Sequence, residues 1–339
     1  FNKSLPRNEN VDNFIIKRSH VWFNLNLFFV NPGMYFQIMK DPPDVIHTIG
    51  IRSFQSFIAT IIAKKKNIPL VISDQGGLTT HPDLNQGSFF KKTLYKIQMP
   101  MIRFIINNAT KISVANEYEK NIFKKFTDES KIQIIRNGIN LDITKLKTNN
   151  FKNKHSLETP FILFVGRFSK IKGIDVLLQA INILKDKPEL KNISFVIMGV
   201  DFGFEKEMFQ LIDELGVKEK VVVIRNPSRD DVIAAYSQSE FLVLPSRWEL
   251  SPLTPLEGFA FKKPVISTDV HGIPSTITDK ENGILVPNED FHKLANAILE
   301  LITDKPKCER YGSSGYNLVQ TECNSKSMVK KTLKLYEQI

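Results

Sequence analysis

The sequence predicts an α/β protein of two doubly wound domains, each a parallel sheet with helices on both faces. Three observations predict it. The chain has 339 residues, and length alone favours about two domains. Short apolar runs rich in β-branched residues alternate with amphipathic stretches of helical length, which is the rhythm of right-handed β-α-β units. Between the halves, Asn137 to Thr159 is polar, rich in Lys and Asn, and follows neither period. The expected division is a first domain at 1–140, a linker at 141–159, a second domain at 160–322 and a C-terminal helix at 323–339, a candidate to pack back toward the first domain. Two such domains facing one another form a cleft, and sheets of this kind take ligands at the carboxyl ends of their strands.

In the first half, Val45–Ile49, Leu70–Ser73, Lys111–Val114 and Ile132–Ile135 read as strands, and Ser53–Lys65, Phe89–Asn107 and Glu117–Phe126 as helices. In the second, the strands are Phe161–Val165, Ile193–Met198, Val221–Ile224, Phe241–Leu244, Pro264–Ser267 and Gly283–Val286. The helices between them are Ile174–Leu184, Glu205–Leu215, Asp230–Ser237, Pro255–Phe261 and Phe291–Ile302. The segment from Phe1 to Arg18 reads as the middle of a fold, so the first domain is expected to lack its opening strand and helix.

Composition bounds the function. Hydrophobic residues make up 42% and charged residues 24%, as in a soluble globular protein. Cys308 and Cys323 are too few for a disulfide framework and lack metal spacing, so a reducing, cytoplasmic setting is expected and no metal is. The nearest approach to a spanning segment, Ile97 to Ile106, is interrupted by Arg103. Residues 1–150 hold 21 basic and 11 acidic residues, the whole net charge of +10; the remainder has 25 of each. A basic half joined to a neutral half suggests two different partners. Nucleic acid is not expected to be one, because interleaved aromatics and known binding motifs are missing. Lys64, Lys65 and Lys66 follow one helix, and Lys91, Lys92, Lys96 and Arg103 punctuate another. A basic amphipathic helix suits an anionic membrane surface, and a solvated lysine-rich surface explains the same residues.

Two strand-to-helix loops carry the candidate chemistry. The first runs from Ser246 to Glu257. Thr254, Pro255 and Glu257 fit N-cap, N1 and N3 of a capping box. The same helix start would offer free backbone N–H groups and a partial positive charge to an anion. Glu249 in the preceding loop and Glu257 in the helix could each accept hydrogen bonds from sugar hydroxyls. The second loop, Gly166 to Gly173, holds Arg167 and Lys172. Either could reach a phosphate, the arginine by its fork and the lysine as a point charge. Gly166 permits a tight turn and Gly173 a close backbone approach.

These loops resemble family 4 of the retaining glycosyltransferases, which has the GT-B fold. That family carries a Gly-Arg…Lys-Gly loop and two glutamates with seven residues between them, the spacing of Glu249 and Glu257. Asn137-Gly138-Ile139-Asn140, Asp269-Val270-His271-Gly272-Ile273-Pro274, Asn282-Gly283-Ile284-Leu285-Val286-Pro287, Asp44-Val45-Ile46-His47 and Ser73-Asp74-Gln75-Gly76-Gly77 are similar to further motifs of the family, over roughly residues 40–339.

The resemblance implies that Arg167 and Lys172 hold the donor diphosphate, Glu249 the transferred sugar and Glu257 the ribose. It implies that backbone at Leu253 and Thr254 caps the distal phosphate and that the base lies at Arg225-Asn226-Pro227. Gln75, Gly76 and Gly77 would face the sugar. The reaction would be retaining transfer from a nucleoside diphosphate sugar, a substrate rather than a cofactor, to a hydroxyl acceptor. Many relatives use lipid-linked acceptors, so peripheral binding to the inner face of the membrane is expected.

Gln75 stands where many members have His, with His81 nearby, and Pro252 removes one backbone donor. The family's glycine-rich first loop has no counterpart before Phe1, and that motivates the alternative of a non-catalytic remnant binding a nucleotide or a partner. A phosphorylase or isomerase of the same architecture is a further alternative, and no clear pyridoxal-binding lysine is seen.

Overall fold

The structure is a computed structural model that describes residues 5–25, 28–74, 78, 89–146 and 151–339. It divides into two compact units, Phe1–Ile135 together with Lys334–Ile339, and Arg136–Leu333.

The first unit opens with two antiparallel hairpins, β1 (Asn8–Val11) with β2 (Phe14–Lys17) and β3 (Phe23–Leu25) with β4 (Phe28–Val30). Asp12 and Asn13 join the first pair with φ of 45° and 71°, the left-handed conformation a two-residue hairpin turn requires. After α1 (Gly33–Lys40) the chain alternates through β5 (Ile46–Ile49), α2 (Phe54–Lys66), β6 (Leu70–Ser73), α3 (Phe89–Asn108), β7 (Lys111–Val114), α4 (Glu117–Phe123) and β8 (Ile132–Ile134). These four strands form a parallel sheet in the order β5-β6-β7-β8. Ser53 caps α2 by accepting from Ser56 N, and Asn67 ends it at φ 54°. Ile102, Ile105 and Ile106 bury one face of α3, while Lys96, Ile97 and Arg103 are exposed.

The second unit begins before the expected boundary. The segment 141–159 was expected to be a linker, yet Phe151 is fully buried and Leu157 nearly so, both in the second unit's core, with Ile139 just upstream. Phe151 packs on Phe161 with ring centroids 5.4 Å apart. One short helix, α5 (Phe151–Lys154), supplies that anchor. A single aromatic residue in a polar run leaves no periodicity to read.

From there the order is β9 (Phe161–Val165), α6 (Ile174–Leu184), β10 (Ser194–Gly199), α7 (Glu205–Glu214), β11 (Val221–Arg225), α8 (Arg229–Gln238), β12 (Leu242–Leu244), α9 (Leu253–Ala260), β13 (Val265–Thr268), β14 (Gly283–Val286), α10 (Phe291–Thr303), α11 (Lys305–Thr321) and α12 (Ser325–Tyr336). The six strands are parallel in the order β11-β10-β9-β12-β13-β14. The order reverses between β9 and β12, the switch point of a dinucleotide-type sheet. The end of α12, from Lys334, belongs to the first unit, where Tyr336 hydroxyl and His47 Nδ1 share a hydrogen bond of 2.5 Å.

One carboxyl in the first unit is held in its acid form. Glu119 is 4% exposed and accepts from Ala115 N at 2.7 Å. Burial, aided by the charge of Asp74 and opposed by the Ala115 bond, pushes its pKa from 4.5 up to about 7. A raised carboxyl pKa means the folded chain holds a proton that the unfolded chain releases above pH 4.5. This contribution to stability therefore falls as pH rises from about 4.5 to about 7, by roughly 3 kcal/mol in all. Glu119→Gln should match the parent near pH 4.5 and exceed its stability at pH 8 by up to about 3 kcal/mol in urea titrations. An identical difference at both pH values would remove the buried proton from the account.

Candidate active site

The loops after β9 and β12 leave the sheet at its switch point, so side chains from both can converge. Lys172, from the first loop, forms an ion pair with Glu249 of the second. Ser246 Oγ donates to the same carboxylate oxygen at 3.1 Å. The lysine side chain is 22% exposed and the glutamate 10%, so the pair sits under the surface and is reachable from it. Two backbone contacts hold the loops together. Arg247 N donates to Ile171 O at 2.7 Å. Gly173 adopts φ +68°, and a Cβ there would stand 1.9 Å from the Pro245 carbonyl oxygen. The close approach expected at Gly173 is thus against the end of β12. On the far side, the Glu249 carbonyl accepts from Gly272 N at 3.1 Å. His271, in the loop after β13, takes φ 51° and places its ring edge-on to Trp248, 6.4 Å between centroids.

Arg167 is placed differently from Lys172. It is exposed, with its guanidinium over the ring of Phe202, 4.6 Å from the centroid, a cation–π contact. Gly166 ends β9 and donates its N–H to Met198 O at 3.0 Å. Arg247, which sequence reasoning passed over, is the structural hub of the second loop. It binds Asp175 through both Nη atoms at 2.7 and 2.8 Å and also pairs with Glu289. Those carboxylates raise its pKa against the opposing effect of burial.

The capping box is not formed. Helix α9 starts at Leu253 with Pro252 as N-cap and no side-chain cap, so Thr254 is its second residue and Glu257 its fifth. Pro252 is extended at φ −66° and ψ 139°, which starts the helix at Leu253, two residues before the expected start at Pro255. Glu257 instead accepts from Arg229 Nη2 at 2.7 Å and from Tyr236 hydroxyl at 2.8 Å. Burial, then the charge of Glu257, raises the Tyr236 pKa well above its usual value. The backbone N–H groups of Leu253 and Thr254 lie at the uncapped amino end; Pro255, third in the helix, has none.

The turn Arg225-Asn226-Pro227 closes β11. Asn226 takes φ 49° and donates its N–H to Gly199 O at 2.8 Å, while Arg225 pairs with Glu205 at 3.2 Å. Gln75, Gly76, Gly77 and His81 lie outside the described residues, as do the side chains of Lys91 and Lys92.

The pattern described as "Glycosyl transferases group 1" matches residues 146–318, and "Glycosyltransferase Family 4" matches residues 3–143. The chain belongs to the group 1 glycosyl transferases. An uncharacterized glycosyltransferase of Methanocaldococcus jannaschii is 28% identical over 77% of this chain and 66% of its own length. The capsular polysaccharide biosynthesis glycosyltransferase CapM of Staphylococcus aureus is 29% identical over 67% of this chain and 61% of its own. The chain spans between about half and two thirds of the length of the curated relatives it matches. Among solved structures, sucrose-phosphate synthase of Thermosynechococcus elongatus superposes with TM-score 0.80 at 20% identity, over 99% of this chain and 86% of that one. HepE of Anabaena, in complex with UDP-glucose, does so with TM-score 0.73 at 16% identity, over 91% and 81%. The fold is GT-B, built from two Rossmann-like units.

The candidate site thus includes a glycine that touches the neighbouring strand's end. Gly173→Ala should cost roughly 3 kcal/mol or more, from left-handed strain plus displacement of Pro245. Gly203→Ala is the control: φ is +88° but nothing lies within 4 Å of its Cβ, so about 1 kcal/mol is expected. Equal urea midpoints for the two variants would refute the contact's role.

Proposed function

We propose that the chain moves a sugar from a nucleoside diphosphate sugar to a hydroxyl acceptor with retained configuration, in glycan, polysaccharide or glycolipid synthesis. The observation that carries this reading is the Lys172–Glu249 pair at the switch point. A nucleotide sugar offers each partner a better-matched group. Diphosphate oxygens suit the ammonium, and sugar hydroxyls suit the carboxylate and Ser246. Donor binding then exchanges one ion pair for two sets of charge-assisted hydrogen bonds.

The step breaks the bond between the anomeric carbon and the diphosphate oxygen and forms one to the acceptor oxygen on the same face. The acceptor proton passes to the departing phosphate. Charge builds on the leaving diphosphate, and catalysis rests on stabilising it. Lys172, Arg167 and the amino end of α9, through Leu253 and Thr254, are the groups for that. Arg167 has a stacking partner and, among the described residues, no carboxylate to leave. These cations take the role a divalent metal would have, so turnover is expected to survive chelation. Glu257, whose oxygens already accept from Arg229 and Tyr236, retains lone pairs for ribose hydroxyls. The base follows Arg225-Asn226-Pro227. By the same resemblance, Gln75, Gly76 and Gly77 face the sugar.

The basic first unit is assigned to the acceptor side and to an anionic membrane surface. The net charge of residues 1–150 supports this, as do Lys96 and Arg103 exposed on α3 beside Ile97, which is 68% exposed. Among the described residues no helix is long and apolar enough to cross a membrane, so the binding proposed is peripheral.

A donor screen by nucleoside diphosphate release, beginning with uridine donors, tests the activity. Lys172→Ala and Arg167→Ala should each lower kcat/KM by roughly tenfold to a hundredfold, the value of one charge-assisted hydrogen bond. If both variants turn over like the parent, the assignment fails. Partitioning onto vesicles rich in anionic lipid should weaken steeply from low to high salt. A salt-independent partition would sink the membrane reading and leave the transferase reading standing.

A further inference from the structure

The opposite edge of the second unit's sheet holds a cavity of about 310 Å³, a volume at the small end of the range for small-molecule sites. It lies where the chain enters β9, β10 and β12, at the amino ends of strands whose carboxyl ends carry the candidate active site. Ile193, Phe241 and Leu301 give it an apolar lining, and Lys262, Lys263 and Lys305 bring three cations to it against Glu240 and Glu309.

Lys262 lies over the Tyr316 ring, 5.2 Å from its centroid, whereas no such contact accounts for Lys263 among the described residues. Lys262 and Lys263 follow the end of α9, where cations complement the helix dipole. The last carbonyls of that helix are already taken by backbone N–H groups, Phe261 and Lys263 on Gly258 O and Lys262 on Phe259 O. Among the described residues the Lys263 ammonium makes neither a hydrogen bond nor a salt bridge. Burial lowers its pKa, and the nearby charge of Glu240 only opposes that shift. Lys305 is the first residue of α11, whose amino end is capped by Asp304 accepting from Lys307 N. The wall is fixed: a Cβ on Gly312 of α11 would stand 2.0 Å from the Lys262 carbonyl oxygen, so the helix backbone rests directly on the turn. A half-buried ammonium that forms no ion pair among the described residues, with Glu240 as its nearby charge and an apolar lining beside it, suits an anion that brings its own apolar body.

We propose that this cavity binds a small organic anion, a carboxylate or phosphate ester on a compact apolar body, with Lys263 as its charge partner. The site is separate from the nucleotide-sugar site, and its test does not depend on transferase activity.

Isothermal titration of the whole chain with benzoate, phenyl phosphate, benzyl alcohol and inorganic phosphate tests it. One or both aryl anions should bind saturably, and benzyl alcohol and inorganic phosphate at least about tenfold more weakly. The two anions separate a carboxylate site from a phosphate-ester site. Lys263→Met should lower anion affinity about tenfold or more, Lys263→Arg should retain it, and saturating UDP should not displace the anion. A second measurement uses the unaltered chain: bound anion should slow N-ethylmaleimide modification of Cys308, which lines the cavity, relative to the buried Cys323. Equal binding of benzyl alcohol and the anions would overturn the proposal. So would unchanged affinity in Lys263→Met, no saturable binding, or no protection of Cys308.

Discussion

Everything at the candidate active site depends on one backbone contact, the seating of Gly173 against the Pro245 carbonyl. With a side chain at 173 the β9 loop would have to lift off the end of β12, because the added atom would fall within 1.9 Å of that oxygen. Lys172 is the neighbouring residue, so its reach to Glu249 is set by this approach. The Arg247 N–H on Ile171 O fixes the same two loops one step further on. An ion pair of this burial gains little net stability, since desolvation offsets most of its Coulomb energy. Its presence is better understood as two opposite charges held ready for a ligand that carries complements to both.

The order β11-β10-β9-β12-β13-β14 explains why these two loops meet. Only at β9 and β12 do adjacent strands send their following helices to opposite faces, which opens a crevice between the loops. Around it, the second loop is anchored by long-range partners. Arg247 is tied to Asp175 and Glu289, 72 and 42 positions away in sequence. Such partners carry no local signature, which is why Arg247 was invisible as a hub in the sequence while Lys172 and Glu249 were legible through their motifs.

The regular part of the fold was legible for a simple reason. In the second unit the buried strands are mostly apolar and the helices have one apolar face, and Phe161–Val165, Ile174–Leu184 and Gly283–Val286 were read with their observed limits. The hairpins of residues 8–30 were not. Phe14 and Ile15 are 73% and 68% exposed, so the inward and outward alternation that marks a strand is missing. Helix α11 also escaped, since Gly312 and Gly315 lie within it and weaken its helical signature. The capping box at Thr254 and Glu257 was a correct match to a local pattern that tertiary structure overrode. Pro252 began the helix sooner, and Arg229 and Tyr236 claimed the Glu257 carboxylate.

That last substitution has a mechanical consequence for α9. A carboxylate that capped its own helix would not tie that helix to α8. Held instead by Arg229 and the buried Tyr236, Glu257 fastens α9 to α8 midway along its length. At the far end, the Lys262 carbonyl bears on the backbone of α11 at Gly312. Eight residues span only about 12 Å, so the amino end with Leu253 and Thr254 and the turn with Lys262 and Lys263 are two ends of one short, doubly pinned rod. A rod pinned this way cannot slide without breaking a buried hydrogen bond or a backbone contact. The cavity therefore borders one end of the helix whose other end is proposed to meet the donor.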